Sequence, residues 1–230
     1  QHRNNDQHRQ NQAFAQGQAG NLWFATSGGV SKFDGAGWTS WTVSEGLASN
    51  NVIGDIAFDA EGNTWVSYGF AGYGASSFNG AVWTTVTIAD GLCDDHVYAI
   101  AGDAEGSVWL GTHGGGISKL DTATWTTYST ESVLRGNTVR AIAVDNAGRR
   151  WFGTSSGVSV FDGISWTMYG EADGLSGYSV YAIAADTAGH TWFGTFGGEG
   201  LSRFDGTTWT TYTVADGLLT PYVVAIDIDA

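Results

Sequence analysis

The chain has 230 residues, with 35 Gly, 11 Trp, one Pro and one Cys, and a formal charge of −14. A 13% aromatic share is ample for a packed core and excludes disorder for most of the chain, and no apolar run is long enough to cross a membrane as a helix. The acidic balance argues against nucleic acid and anionic membranes, which need clustered Lys and Arg, and the lone Cys93 excludes an internal disulfide or a Cys-based zinc site.

Residues 1–12 read as a polar arm. They hold Arg3, Arg9, His2 and His8 against the single acid Asp6, and all six Gln of the chain fall within the first 18 positions. The arm is slightly basic beside a body of net charge −15, and it is too polar to fold alone. No charged start followed by an apolar stretch marks a signal peptide.

From Ala13 onward the chain repeats. The first unit runs through Ala13-Phe14-Ala15 and Trp23-Phe24-Ala25-Thr26, turns at Phe33-Asp34-Gly35 and reaches Trp38. The second carries Trp65-Val66-Ser67-Tyr68, Phe78-Asn79-Gly80 and Trp83. The third carries Trp109-Leu110-Gly111-Thr112, Leu120-Asp121-Thr122 and Trp125. The fourth and fifth follow with Trp151-Phe152-Gly153-Thr154 to Trp166 and Trp192-Phe193-Gly194-Thr195 to Trp209. The leading Trp residues are spaced by 42, 44, 42 and 41 residues. Asp-Gly and Asn-Gly between short apolar runs signal tight hairpins, because such turns need φ > 0. Thr, Val, Tyr and Trp runs punctuated by Gly and Asp are strand chemistry, and no stretch keeps a helical period. Five four-stranded units of about 42 residues predict an all-β, five-bladed β-propeller of antiparallel blades over residues 13–230.

The innermost-strand motif occurs once too often. It stands at Ala13-Phe14-Ala15, Ile56-Ala57, Ala99-Ile100-Ala101, Ala141-Ile142-Ala143, Ala182-Ile183-Ala184 and Ala225-Ile226-Asp227, six copies for five units. The more apolar Val223–Asp229 run could complete the first blade as a closing strap, or the N-terminal copy could take that place. A surplus strand beside an open sheet edge also offers strand exchange, so a homo-oligomer through residues 1–18 or 223–229 is an expectation.

The pattern Val180-Tyr181-Ala182-Ile183-Ala184, Gly189-His190-Thr191-Trp192-Phe193-Gly194-Thr195, Leu201-Ser202-Arg203-Phe204-Asp205-Gly206, Trp209-Thr210-Thr211-Tyr212 and Asp216-Gly217-Leu218 resembles the two-component regulator propeller repeat. The resemblance implies a propeller and an extracytoplasmic sensing module, some members of that family taking carbohydrate fragments. It places the chain outside the cell or in the periplasm. The family's sensors are far longer and add a membrane span and a kinase.

Positions filled alike in every repeat belong to the fold, so departures from the columns are the candidates for function. Ten Trp residues are column residues. Trp41 stands where Val86, Tyr128, Tyr169 and Tyr212 stand elsewhere. The Asp-Gly-Leu motifs at Asp90, Asp173 and Asp216, with Glu45 as a variant, lack the oxygen ligands of a calcium loop and read as turns. The loops between second and third strands, by contrast, vary in length and share one propeller face with the connections between blades. Tyr68, Phe70, Tyr73, Tyr178 and Phe196 are expected to form an aromatic rim there, with Asp94, Asp95, His96, His113, Arg140 and Glu199 as its polar groups. Aromatic walls with a few polar groups are a common ligand-site design. The expected role is non-enzymatic binding of a carbohydrate or peptide, without a cofactor. Its alternatives are a self-assembling subunit and a lyase, since the repeats also look broadly similar to those of streptogramin-inactivating propeller lyases. His96, His113 and Glu199 would carry that chemistry, although their spacing matches no recognised metal motif.

Overall fold

The computed structural model describes residues 13–17, 20–52, 54–198 and 200–228; the arm at 1–12 lies outside them. The chain adopts the expected architecture of five sheets, each of four antiparallel strands in sequence order. Blade 1 comprises β1 (Phe14–Gln16), β2 (Leu22–Thr26), β3 (Gly29–Phe33) and β4 (Trp38–Trp41). Blade 2 comprises β5 (Ile56–Phe58), β6 (Thr64–Ser67), β7 (Ala75–Phe78) and β8 (Trp83–Val86). Blade 3 comprises β9 (Val97–Gly102), β10 (Ser107–Thr112), β11 (Ile117–Asp121) and β12 (Thr124–Tyr128). Blade 4 comprises β13 (Val139–Val144), β14 (Arg150–Thr154), β15 (Gly157–Phe161) and β16 (Trp166–Tyr169), and blade 5 comprises β17 (Ser179–Ala185), β18 (Thr191–Phe196), β19 (Leu201–Phe204) and β20 (Trp209–Tyr212).

Local chemistry explains the repeat columns. The Asp34 carboxylate accepts from the amides of Ala36 and Gly37, both at 2.9 Å, and closes its turn without a ligand; Asp162 and Asp205 do the same. After each outer strand except that of blade 3 comes one turn of 3-10 helix, in which Glu45, Asp90, Asp173 or Asp216 accepts from the backbone amide three residues earlier. The following glycine takes a left-handed φ, as Gly91 does at 116°, and the next Leu is buried at Leu47, Leu92 and Leu175. The Asp-Gly-Leu motifs are therefore helix-capping turns. A further column ties four of the five leading Trp residues to their own blades: Asp59, Asp103, Asp145 and Asp186 accept from the indole N–H of Trp65, Trp109, Trp151 and Trp192.

The core sits between blades rather than within them. One face of each sheet carries the leading Trp and points to the next blade, and the other carries the residue after it and points back. Trp151 of blade 4 lies 5.4 Å from Phe193 and 5.8 Å from Phe204 of blade 5, while Tyr169 lies 5.4 Å from Trp209. Four such seams are filled, and each has its own apolar cluster. Trp41 stacks on Trp23 at 5.2 Å, so it substitutes within this core.

The ends of the array differ from its middle. The N-terminal copy of the inner strand pairs in blade 1, with Phe14 opposite Phe24 and Ala15 opposite Trp23. The C-terminal strap is not formed: residues 221–228 have no strand partner among the described residues, and residue 229 lies outside them. Tertiary position decides this, since the run follows blade 5 and its Val223 amide bonds to the Thr195 carbonyl at 3.2 Å. Among the described residues no apolar cluster joins blade 5 to blade 1. Phe14 and Trp38 are 65% and 64% exposed, whereas their column equivalents Ile56 and Trp83 are 5% and 8% exposed.

Candidate functional site

The connections between blades and the loops between second and third strands meet on one face, as the sequence predicts. The Gly114 amide donates to Asp94 at 3.0 Å, the Gly74 amide to the Asp95 carbonyl at 2.9 Å, and the Gly116 amide to the Asn137 carbonyl at 3.0 Å. The first ties the blade 3 loop to the connection entering its own blade, and the other two tie a loop of one blade to the connection entering the next.

Between blades 2 and 3 this face gathers a compact group. Phe70 is exposed on the 3-10 turn Gly69–Ala71 and lies 4.8 Å from the ring of Tyr98 and 6.2 Å from that of His113. The Tyr98 hydroxyl meets Nδ1 of His113 at 2.8 Å. His96 stands 6.2 Å from His113, ring to ring, and its Nδ1 lies 2.9 Å from the Asp94 carboxylate. Partial burial pushes the Asp94 carboxyl up, but the His96 amide, the His96 ring and the Gly114 amide outweigh it and hold it below the usual carboxylate range. The backbone of the loop is fixed as well, because the Thr138 hydroxyl donates to the His113 carbonyl. Asp94 thus orients one imidazole and Tyr98 pins the other, and an aromatic face stands beside both.

A second group forms around blade 5. The Arg140 guanidinium lies 4.8 Å from the Tyr181 ring and donates to Ser179 at 3.4 Å. Tyr181 lies 5.7 Å from Phe196, which stacks on Tyr222 at 4.7 Å. Tyr178 is exposed beside Gly197, where any side chain would overlap its phenol. An open depression of about 580 Å³ lies close by, lined by Glu171, Leu175, Ser176, Gly197, Gly198 and Thr211. Tyr98, Arg140 and Tyr181 hold the same position on the inner strands of blades 3, 4 and 5, so the two groups form one belt along the inner rim.

Of the residues expected at this rim, Phe70, Tyr73, Asp94, His96, His113, Arg140, Tyr178 and Phe196 stand on it. Tyr68 does not. It is fully buried, with its hydroxyl accepting from the Ala48 amide at 3.0 Å and meeting Ser76 Oγ at 2.7 Å, and burial raises its phenol above the ordinary value. It packs where the strand has already turned inward, so its place next to a variable loop misleads. Asp95 belongs to the fold instead, accepting from the Ile88 amide at 2.8 Å just as Asn50 and Asn137 accept from Val43 and Thr130. Glu199 lies outside the described residues. Sequence reasoning missed Tyr98, Tyr181 and Tyr222. The signal was present, since Tyr98 and Tyr181 share the column of Arg140. Among the described residues no group of three His, Cys, Asp or Glu is placed to hold a metal ion.

Residues 91–114 and 174–197 match the family model of the two component regulator propeller. No curated protein matches. Solved structures do. The extracellular domain of a hybrid two component system from B. thetaiotaomicron is 19% identical with a TM-score of 0.60, over 94% of this chain and 36% of that one. A surface component of the type-IX secretion system of Porphyromonas gingivalis is 24% identical with a TM-score of 0.61, over 84% of this chain and 32% of that one. A catalytically inactive virginiamycin B lyase from Staphylococcus aureus, with quinupristin, is 15% identical with a TM-score of 0.73, over 95% of this chain and 75% of that one. At these identities the likeness is one of fold. The chain spans about a third of the length of the extracellular domains it matches.

Proposed function

We propose that this chain of two-component regulator propeller repeats is an extracytoplasmic binding module that takes a carbohydrate, or a peptide presenting similar groups, on its connector face. The observation that carries the reading is the group between blades 2 and 3, where exposed Phe70 stands beside Tyr98, His113, His96 and an ionised Asp94. A flat aromatic face covers the C–H surface of a sugar, and a carboxylate and two imidazoles beside it exchange hydrogen bonds with hydroxyls. The belt continues through Arg140 to Phe196 and Tyr222, which suits an extended ligand better than a compact one. Placement outside the cytoplasm is supported by the extracellular domains among the similar structures.

The test is a glycan and peptide array followed by calorimetric titration of the best ligand. Phe70→Ala with Phe196→Ala is expected to weaken binding at least about tenfold while leaving the fold intact. Unchanged affinity would remove the belt as the site.

One observation favours a second reading, a lyase. His96 and His113 lie 6.2 Å apart, ring to ring, each with Nδ1 engaged, by Asp94 and Tyr98 respectively. Two oriented imidazoles can serve as acid and base on one substrate. Incubation with quinupristin, followed by mass spectrometry, separates the readings. Turnover that disappears in His113→Ala favours the lyase, and an unchanged ligand favours binding alone.

A further inference from the structure

The faces left bare at the two ends of the array match each other residue for residue. Blade 5 presents Trp192, stacked on Tyr212 at 5.7 Å, toward a blade that is not packed there. Blade 1 presents Phe14, Phe24, Phe33 and Trp38, the last lying 5.5 Å from Phe24 and 5.1 Å from Phe33. The seam between blades 4 and 5 gives the template. There Trp151 and Tyr169 pack on Phe193, Phe204 and Trp209. In the repeat columns Trp192 and Tyr212 correspond to Trp151 and Tyr169. Phe24, Phe33 and Trp38 correspond to Phe193, Phe204 and Trp209. Both halves of a seam already proven in this fold are therefore present, and among the described residues neither is filled.

Two further observations mark the blade 5 end as a docking face. The Arg203 guanidinium lies over the Trp192 ring at 5.8 Å, and its buried Nε has no hydrogen-bond partner among the described residues. Beyond it Val223 enters the column of Val139 and Val180, packing against Gly194 as they pack against Gly111 and Gly153. The chain has thus begun the inner strand of a following blade, while Tyr222 and Val224 stay exposed and no strand among the described residues pairs with the run.

We propose that the chain assembles head to tail with copies of itself, the Trp192–Tyr212 face of one copy packing on the Phe24–Phe33–Trp38 face of the next. The incoming blade 1 brings its own β1, held by only three paired residues, while the first copy offers Ala225-Ile226-Asp227 in the same place. Either strand completes that blade, so the six-for-five strand count becomes a means of exchange between copies. The contact is heterologous. It closes if two arcs complete a ring and otherwise continues as an open array. Six aromatic rings per seam, about half covered already, would bury on the order of 900–1,500 Å² over the two seams of a closed pair, enough for a specific interface.

Sedimentation of the 230-residue chain across a concentration series tests this. The expected result is a mass of at least twice 24.2 kDa at tens of micromolar, falling to 24.2 kDa on dilution. Trp38→Glu places a charge on the bare blade 1 face and is expected to give a monomer with unchanged far-UV circular dichroism. Ile164→Glu, at a still more exposed site on a hairpin turn away from both faces, is expected to assemble like the wild type. A wild-type monomer at all concentrations would overturn the proposal, whether the faces close on each other or stay open. So would an oligomer that Trp38→Glu leaves intact.

Discussion

Asp55 interrupts a column that is alanine in every other described inner strand, at Ala13, Ala99, Ala141 and Ala182. It is partly buried, and its carboxylate accepts from the amide of Ile56 at 2.8 Å and, across the seam, from Ile100 at 2.9 Å. Burial outweighs both bonds and pushes the carboxyl up to about 6 from the ordinary 3.8. Between those values the folded chain holds a proton that the unfolded chain has released. The group's contribution is therefore most favourable below pH 3.8 and is lost as pH rises through about 6, by roughly 3 kcal/mol in all. Asp55→Ala removes this titration but also forfeits a hydrogen bond to Ile100 worth about 1 kcal/mol. The variant should thus be less stable than wild type near pH 4 by about 1 kcal/mol and more stable at pH 7.5 by about 2 kcal/mol. Urea unfolding of both proteins at intervals from pH 4 to 8 gives the difference curve. Acids common to both, such as the low-titrating Asp145, cancel in that difference. A flat difference, or a wild type that gains on the variant toward neutral pH, would refute the reasoning.

Two further substitutions probe the frame. Arg150 is buried and bonds to Asp103 at 2.8 Å and also to Glu105, while Asp103 holds the Trp109 indole at 2.7 Å. Arg150→Ala strands a buried carboxylate and should cost about 3–5 kcal/mol in denaturant unfolding, against less than about 1 kcal/mol for Lys119→Ala at its surface pair with Asp121. A small loss at Arg150 would mean that the blade 3–4 pair contributes little. Gly116 has φ 93°, and a Cβ there would overlap the Tyr128 carbonyl oxygen, whereas Gly80 has φ 94° and open space around it. Gly80→Ala should cost about 1–2 kcal/mol for the left-handed backbone alone, and Gly116→Ala measurably more in the same thermal melts. Equal losses would place the whole effect in the backbone angle.

What the sequence determined by itself is everything that recurs. Turn chemistry at Asp34, Asp162 and Asp205, the capping turns at Asp90 and Asp216, and the alternation around each leading Trp act over a few residues. Five near-copies made each of them legible. The same comparison singled out Phe70, His96, His113 and Arg140 as departures. It went wrong at Tyr68 and Asp95, since being next to a variable loop does not reveal whether a side chain turns inward or caps a neighbour. Tyr98 shares the column of Arg140, but its bond to His113, 15 residues away, exists only in the tertiary structure. The two chain ends were likewise settled only in three dimensions. Ala13-Phe14-Ala15 and Ala225-Ile226-Asp227 carry the same inner-strand motif, and the greater apolarity of the second run does not decide which pairs with Trp23. That choice depends on where blade 5 comes to rest relative to blade 1, a long-range placement summed over four seams of interlocking rings. The same placement leaves Trp38 and Trp192 at bare faces, although their columns give them the same role as every other Trp in the chain.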